Sequence, residues 1–142
     1  MPDTTLITVE TTVSATVGKV WEFWTSPEHI MKWNNASEDW HTPSASSDLR
    51  EGGTFMARME AKDGSAGFDF GGTFTKVVPE KLLGYEMSDG RKVSVSFTEK
   101  DGVTHISETF DAEHENPEEM QRQGWQSILD NFKKHAEANA GL

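Results

Sequence analysis

The sequence predicts an α+β fold: an antiparallel sheet of about six to seven strands curved around one long C-terminal helix, with two short helices after the first strand. Three observations carry this. Between residues 54 and 110, successive short segments alternate apolar and polar side chains at period two. Lys62-Asp63-Gly64-Ser65, Asp89-Gly90 and Lys100-Asp101-Gly102 separate those segments, and turns this short force antiparallel neighbours. From Asn116 to Ala138 the spacing becomes helical, and Met120, Gly124, Trp125, Ile128, Leu129, Phe132 and Ala136 make one apolar stripe.

Each element follows in order. Thr5 to Val13 is rich in Thr and Val, with Ile7, Val9, Thr11 and Val13 on one face of a strand. Val17 to Trp24 is a short helix, with Val20, Trp21 and Trp24 at helical spacing and Thr16 placed to cap it. Ser26-Pro27-Glu28 starts a second helix with cap, first-position proline and first-turn acid; Ile30, Met31 and Trp33 give it an apolar side. Asn34 to Ser47 is polar and reads as a loop that holds Trp40 beside His41. Asp48 to Arg50 reads as a short strand, and Gly52-Gly53 as a turn or bulge.

In Thr54 to Ala61, Phe55, Ala57 and Met59 oppose Met56, Arg58 and Glu60. Phe68 to Val78 places Phe68, Phe70, Gly72 and Phe74 on one face, until Pro79-Glu80-Lys81 breaks it. Leu83, Tyr85 and Met87 share a face of the next strand, Val93, Val95 and Phe97 of the one after, and Ile106, Glu108 and Phe110 of the last. The long helix is also marked by its ends. Asn116 caps it, Pro117 takes the first position and Glu119 follows as in a capping box. Glu118 and Glu119 suit the positive end of its dipole, and Lys133, Lys134 and His135 the negative end. Such a meander curls through its own twist, and a helix laid across it encloses a space. Periodicity does not say whether that space is filled or hollow.

The 142 residues suit a single domain spanning 1–142. Only 35% are hydrophobic, so the core leans on five Trp and eight Phe. Without Cys, neither disulfides nor thiolate chemistry is available. A net charge of −11 repels phosphate backbones and anionic lipid, which argues against nucleic acid and membrane surfaces as partners. Met1 to Val13 has neither a basic nor an apolar leader region, and no run is long enough to cross a bilayer, so cytoplasm is the expected location.

Several strings, in this order, resemble a known family. They are Val20-Trp21-Glu22, Thr25-Ser26-Pro27-Glu28, Trp33-Asn34, Asp39-Trp40-His41, Asp48-Leu49-Arg50-Glu51-Gly52-Gly53, Gly72-Thr73-Phe74, Asp89-Gly90-Arg91 and Gly124-Trp125. Together they span nearly the whole chain and resemble the START-like (SRPBCC) superfamily. The resemblance is to its bacterial AHSA-like branch, named for the C-terminal domain of the activator of the heat-shock chaperone ATPase. It implies the helix-grip fold, a cavity under the long helix, a small and largely apolar ligand, and no required cofactor. It supplies no catalytic motif. The eukaryotic activators carry an additional N-terminal domain that these residues do not contain, which weighs against a co-chaperone role.

The candidate site residues follow from parity and from that cavity. Phe55, Phe68, Phe70, Phe74, Tyr85 and Phe97 face one concave surface, most of them as core. The ligand-binding set is Trp33, Asn34, Trp40, His41, Phe55, Met59, Phe68, Phe70, Tyr85, Phe97, Glu108, Trp125 and Leu129. Glu108 stands out, because it shares the inward face with Ile106 and Phe110 and would be desolvated there. A bulge turning it outward, or a salt bridge to Arg58 or Arg91, is the plainer account. Gly124 in mid-helix either leaves room for a ligand or allows close packing on the sheet, and close packing is the commoner reason. Asp39 and His41, two apart, point the same way in an extended segment and are placed to pair, either in a Trp-anchored loop or as a gate over the cavity.

No Ser or Cys sits in a nucleophile motif. His29, His41, His105, His114 and His135 are scattered without metal-ligand spacing, so no metal is expected. The glycine pairs lack the context of a phosphate loop. The expected function is therefore binding of a small hydrophobic or amphipathic molecule, with Glu108 and the segment from Asn34 to His41 giving selectivity. One alternative is a cyclase or hydrolase using Glu108 or His41 as general base. Another is a protein-interaction module with its face on the outer sheet surface. Monomer and homodimer both fit.

Overall fold

The computed structural model describes residues 5–34, 39–88, 90–113 and 117–139. The order is β1 (Leu6–Val13), α1 (Val17–Thr25), α2 (Pro27–Trp33), β2 (Trp40–Ser47), β3 (Thr54–Ala61), β4 (Gly67–Val78), β5 (Leu82–Met87), β6 (Lys92–Lys100), β7 (Val103–Asp111) and α3 (Glu118–Asn139). The seven strands form one curled antiparallel sheet in the order β1-β7-β6-β5-β4-β3-β2. Helices α1 and α2 carry the chain from one edge strand, β1, to the other, β2. The expected α+β architecture is thus what forms, with two short helices before the meander and one long helix after it.

Local chemistry explains the curl. Register shifts between His41 and Ser44 on β2 and between Phe74 and Lys76 on β4 add twist. Gly72 lies where β4 meets β5 so closely that an added Cβ would come 2.2 Å from the Glu86 carbonyl oxygen. In the β6–β7 turn Asp101 (φ 54°) and Gly102 (φ 78°) are both left-handed, as in a type I′ hairpin.

Helix α3 lies along β1. The Thr8 carbonyl accepts from Arg122 Nη1 at 2.8 Å, the Glu10 carbonyl from Gln126 Nε2 at 3.1 Å, and the Thr12 carbonyl from Lys133 Nζ. Alternate residues of an edge strand point their carbonyls outward, so one helix face caps an edge that would otherwise pair with another chain. Leu129, Phe132 and Ala136 of the same helix are buried against the sheet and α1–α2. His105 is on the outer face, as its parity predicts, 2.8 Å from Glu10.

Several local expectations differ from the structure. Trp40–Ser47, read as loop, is edge strand β2. An edge strand needs no strict alternation, and its Pro43 sits at the register shift, where no ladder donor is required. Asp48 to Arg50 forms no strand; it leads into a turn closed by Gly53 N–H to the Arg50 carbonyl at 2.9 Å. Met120 is 58% exposed, and Gln121 takes the buried place, bonding both backbone groups of Glu113. Helix α3 runs on to Asn139, so Lys133, Lys134 and His135 fall short of its last turn. Neither Thr16 nor Ser26 makes a side-chain cap bond; the Val17 N–H donates instead to Glu99 Oε1 at 2.8 Å. The Asn116 cap lies outside the described residues, as does Asp89 of the Asp89-Gly90 turn.

Helices α2 and α3 meet at a histidine pair. His29 Nδ1 and His135 Nε2 are 2.9 Å apart, and both rings pack on Phe23. The Asn139 amide nitrogen approaches His135 Nδ1 at 3.3 Å, so Nδ1 accepts and the ring proton sits on Nε2, shared with His29. Burial, then His29 and Lys32, holds the His135 pKa below its ordinary value. A base that resists protonation in the fold stabilises it above its unfolded value of about 6.5, and that stability is lost as pH falls. We expect the stability of the wild type relative to His135→Gln to fall as pH drops below about 6.5; a difference that does not change with pH would contradict this.

Candidate functional site

Between the concave face of the sheet and α3 lies a cavity of about 510 Å³. This is within the range of small-molecule sites, roughly 300–1,000 Å³. Period two supplies the floor: Phe55, Ala57 and Met59 from β3, Phe70 and Phe74 from β4, Leu83 and Tyr85 from β5, and Glu108 from β7. Trp24, Ile30, Trp33 and Asn34 of the α1–α2 region close one side, and Trp40 and Phe68 stand at the rim with ring centres 5.8 Å apart. The roof is Gly124, Trp125 and Ile128 of α3. Trp125 is fixed by stacking flat on Phe110, centroids 3.9 Å apart and planes 9° from parallel.

The walls are rigid and the space between them is open. Phe55 packs on Phe74 at 5.0 Å and edge-on to Tyr85 at 4.9 Å, so the aromatic floor braces itself. A Cβ added at Gly124 would meet nothing within 4 Å. Close packing, the commoner reason for a helix glycine, is therefore not the reason here; Gly124 leaves room under the helix.

Of the expected ligand contacts, Trp33, Asn34, Trp40, Phe55, Met59, Phe68, Phe70, Tyr85, Glu108 and Trp125 line this one cavity. Phe97 lies elsewhere, edge-on to Trp21 and Trp24, and Leu129 is wholly buried in the core. His41 is partly exposed and faces Glu60, 4.0 Å away, rather than Asp39 or the cavity. Sequence reasoning missed Trp24, Ile30, Leu83, Arg91 and Ile128 as wall residues. Leu83 carried a readable signal, its shared parity with Tyr85; Arg91 entered only as a possible ion-pair partner of Glu108.

Glu108 is the chemical centre of the cavity. Its register is unbroken on both sides, opposite Val9 on β1 and Val95 on β6, so no bulge turns it outward. It is only 6% exposed. Arg58 is engaged by Glu60 at 2.9 Å and Asp69 at 3.5 Å, while Arg91 is on the wall of the same cavity. Burial pushes the Glu108 carboxyl from its ordinary 4.5 up to about 8, so it is protonated at neutral pH. Burial, then the charge of Glu108, raises the Tyr85 hydroxyl well above its ordinary value. Among the described residues, no set of three or more His, Asp or Glu is arranged to hold a metal, and no helix is long and apolar enough to cross a membrane.

A curled antiparallel sheet gripping a C-terminal helix over an apolar cavity defines the START-like, helix-grip class. Within it, residues 14–137 match the family described as activator of Hsp90 ATPase homolog 1-like protein, and the chain belongs to that family. The solution structure of the AHSA1-like protein of Aeromonas hydrophila is 48% identical, with 94% of this chain and 93% of that one covered, at a TM-score of 0.89. The solution structure of Chr148 from Cytophaga hutchinsonii is 52% identical, with 94% and 92% covered and a TM-score of 0.81. Protein NE0264 of Nitrosomonas europaea, 19% identical with 96% and 97% covered, shares the fold at a TM-score of 0.80. No curated protein matches the chain.

Proposed function

We propose that the chain binds a small, largely apolar molecule in the cavity under α3 and performs no covalent chemistry on it. The observation that carries this is the unfilled space of about 510 Å³ between an aromatic floor and the helix roof at Gly124. Interiors normally close-pack, so a hollow of this size walled by braced aromatic rings is suited to a guest. Glu108 is the polar anchor at its base. A general-base role for His41 fits less well, because His41 lies outside the cavity and faces Glu60.

Native mass spectrometry of freshly purified protein tests the reading. We expect a bound small molecule that is released unchanged in mass when the protein is unfolded. A chemically altered product accumulating from an added apolar compound would contradict it.

A further inference from the structure

The cavity's polar inventory points to the kind of ligand it takes, an inference that rests on the binding function proposed above. No fully enclosed side-chain nitrogen or oxygen among the described residues lacks a hydrogen bond. Yet the Glu108 carboxyl and the Tyr85 hydroxyl, on residues 6% and 8% exposed, have no hydrogen-bond partner among those residues. Their oxygens therefore face the open space of the cavity. Two other polar groups of the wall are already engaged: Trp33 Nε1–H donates to the Phe23 carbonyl at 2.9 Å, and the Thr25 hydroxyl to the Trp21 carbonyl at 2.8 Å.

Two O–H groups thus look into an apolar space, and the cationic Arg91 stands on the same wall. A neutral carboxylic acid donates one hydrogen bond, a phenol another, and a guanidinium only donates. We propose that the cavity selects an apolar molecule bearing a hydrogen-bond-accepting oxygen, a ketone, ester or carboxylic acid carbonyl, and that Glu108 and Tyr85 donate to it. An amine is disfavoured. Ammonium has no acceptor to offer these donors. Burying the carbonyl opposite these groups satisfies donors that are otherwise left bare, whereas a hydrocarbon of the same shape leaves them so.

Three probes of one shape test this by calorimetric or NMR titration: tetralin, 1-tetralone and 1-aminotetralin. At about pH 6.5 the ketone should bind roughly three- to tenfold tighter than the hydrocarbon, the range for one net hydrogen bond, and the amine no tighter than the hydrocarbon. At about pH 9.5 Glu108 has ionised, and the advantage of the ketone should shrink in the wild type. In Glu108→Gln, whose amide donates at every pH, and in Tyr85→Phe, the response separates the two donors: the first keeps the ketone preference at high pH, and the second weakens it at both. The wild-type pH comparison stands without either variant. If tetralin binds but the ketone gains nothing, or if the amine binds tightest, the donor assignment is overturned and the cavity remains a binding site. If none of the three binds folded wild-type protein, the binding reading falls with it.

Discussion

Glu108→Gln is expected to abolish the loss of stability that the Glu108 carboxyl causes as pH rises from about 4.5 to about 8. The Glu108 carboxyl is raised from 4.5 to about 8 by burial, so between those values the folded state holds a proton that the unfolded chain has released. Folded protein binding more protons means that stability falls as pH rises, by up to about 1.4 kcal/mol per pH unit for one group. The contribution is whole below about pH 4.5 and has gone once the pH passes about 8. Across that window the wild type should lose several kcal/mol relative to Glu108→Gln, an order-of-magnitude figure set by the size of the shift. Glutamine keeps the shape and a donor but carries no charge at any pH. Urea unfolding at a series of pH values checks this; parallel wild-type and variant curves would show that Glu108 is not desolvated in the fold.

Gly124→Leu is expected to raise stability while removing binding, a pairing that a purely structural glycine would not produce. Replacing a mid-helix glycine recovers roughly 0.5–1 kcal/mol of helix propensity. An added side chain meets open space rather than backbone, and would lie toward the aromatic floor formed by Phe55, Phe70 and Tyr85. Gly124→Ala should therefore gain about 1 kcal/mol with modest effect on binding. The leucine variant should gain at least as much and weaken any cavity ligand by about tenfold or more, since its branch occupies ligand volume. Thermal unfolding with a parallel ligand titration measures both. A leucine variant that unfolds more readily would place Gly124 in a tight helix–sheet contact.

What the sequence made legible follows from which signals are local. Period-two alternation identifies the side of the sheet a residue faces, so Glu108, Tyr85 and Phe55 could be assigned inward from sequence. It says nothing of position along the strand. Phe97 shares the inward face with them but lies at the closed end, beneath Trp21 and Trp24. Leu129 likewise belongs to the right stripe of α3, one residue from the cavity-lining Ile128. Strand β2 was hidden because its Ser, Thr and Pro carry no apolar alternation; it is held as an edge by pairing with β3 and packing against α2.

Other features depend on pairs that no window of sequence contains. The buried Gln121 replaces Met120 in the core because the Glu113 backbone needs its amide, and a hydrophobicity pattern reads that position as polar. His29 and His135 meet only once α3 has folded back over α2. The room beneath Gly124 is the extreme case. The same apolar stripe describes a helix pressed onto a filled core and a helix roofing a hollow one, and only the packed structure distinguishes them.

The most direct test of a ligand-competent cavity is an NMR titration of the wild-type protein with 8-anilinonaphthalene-1-sulfonate, an amphipathic probe with an aromatic body and an anionic sulfonate. The account predicts saturable shifts at the Trp125, Trp33 and Trp40 indoles and the Met59 methyl, all on the cavity wall, with the outer-face His105 unmoved. Shifts confined to the outer sheet surface, or none at saturating probe, would contradict it.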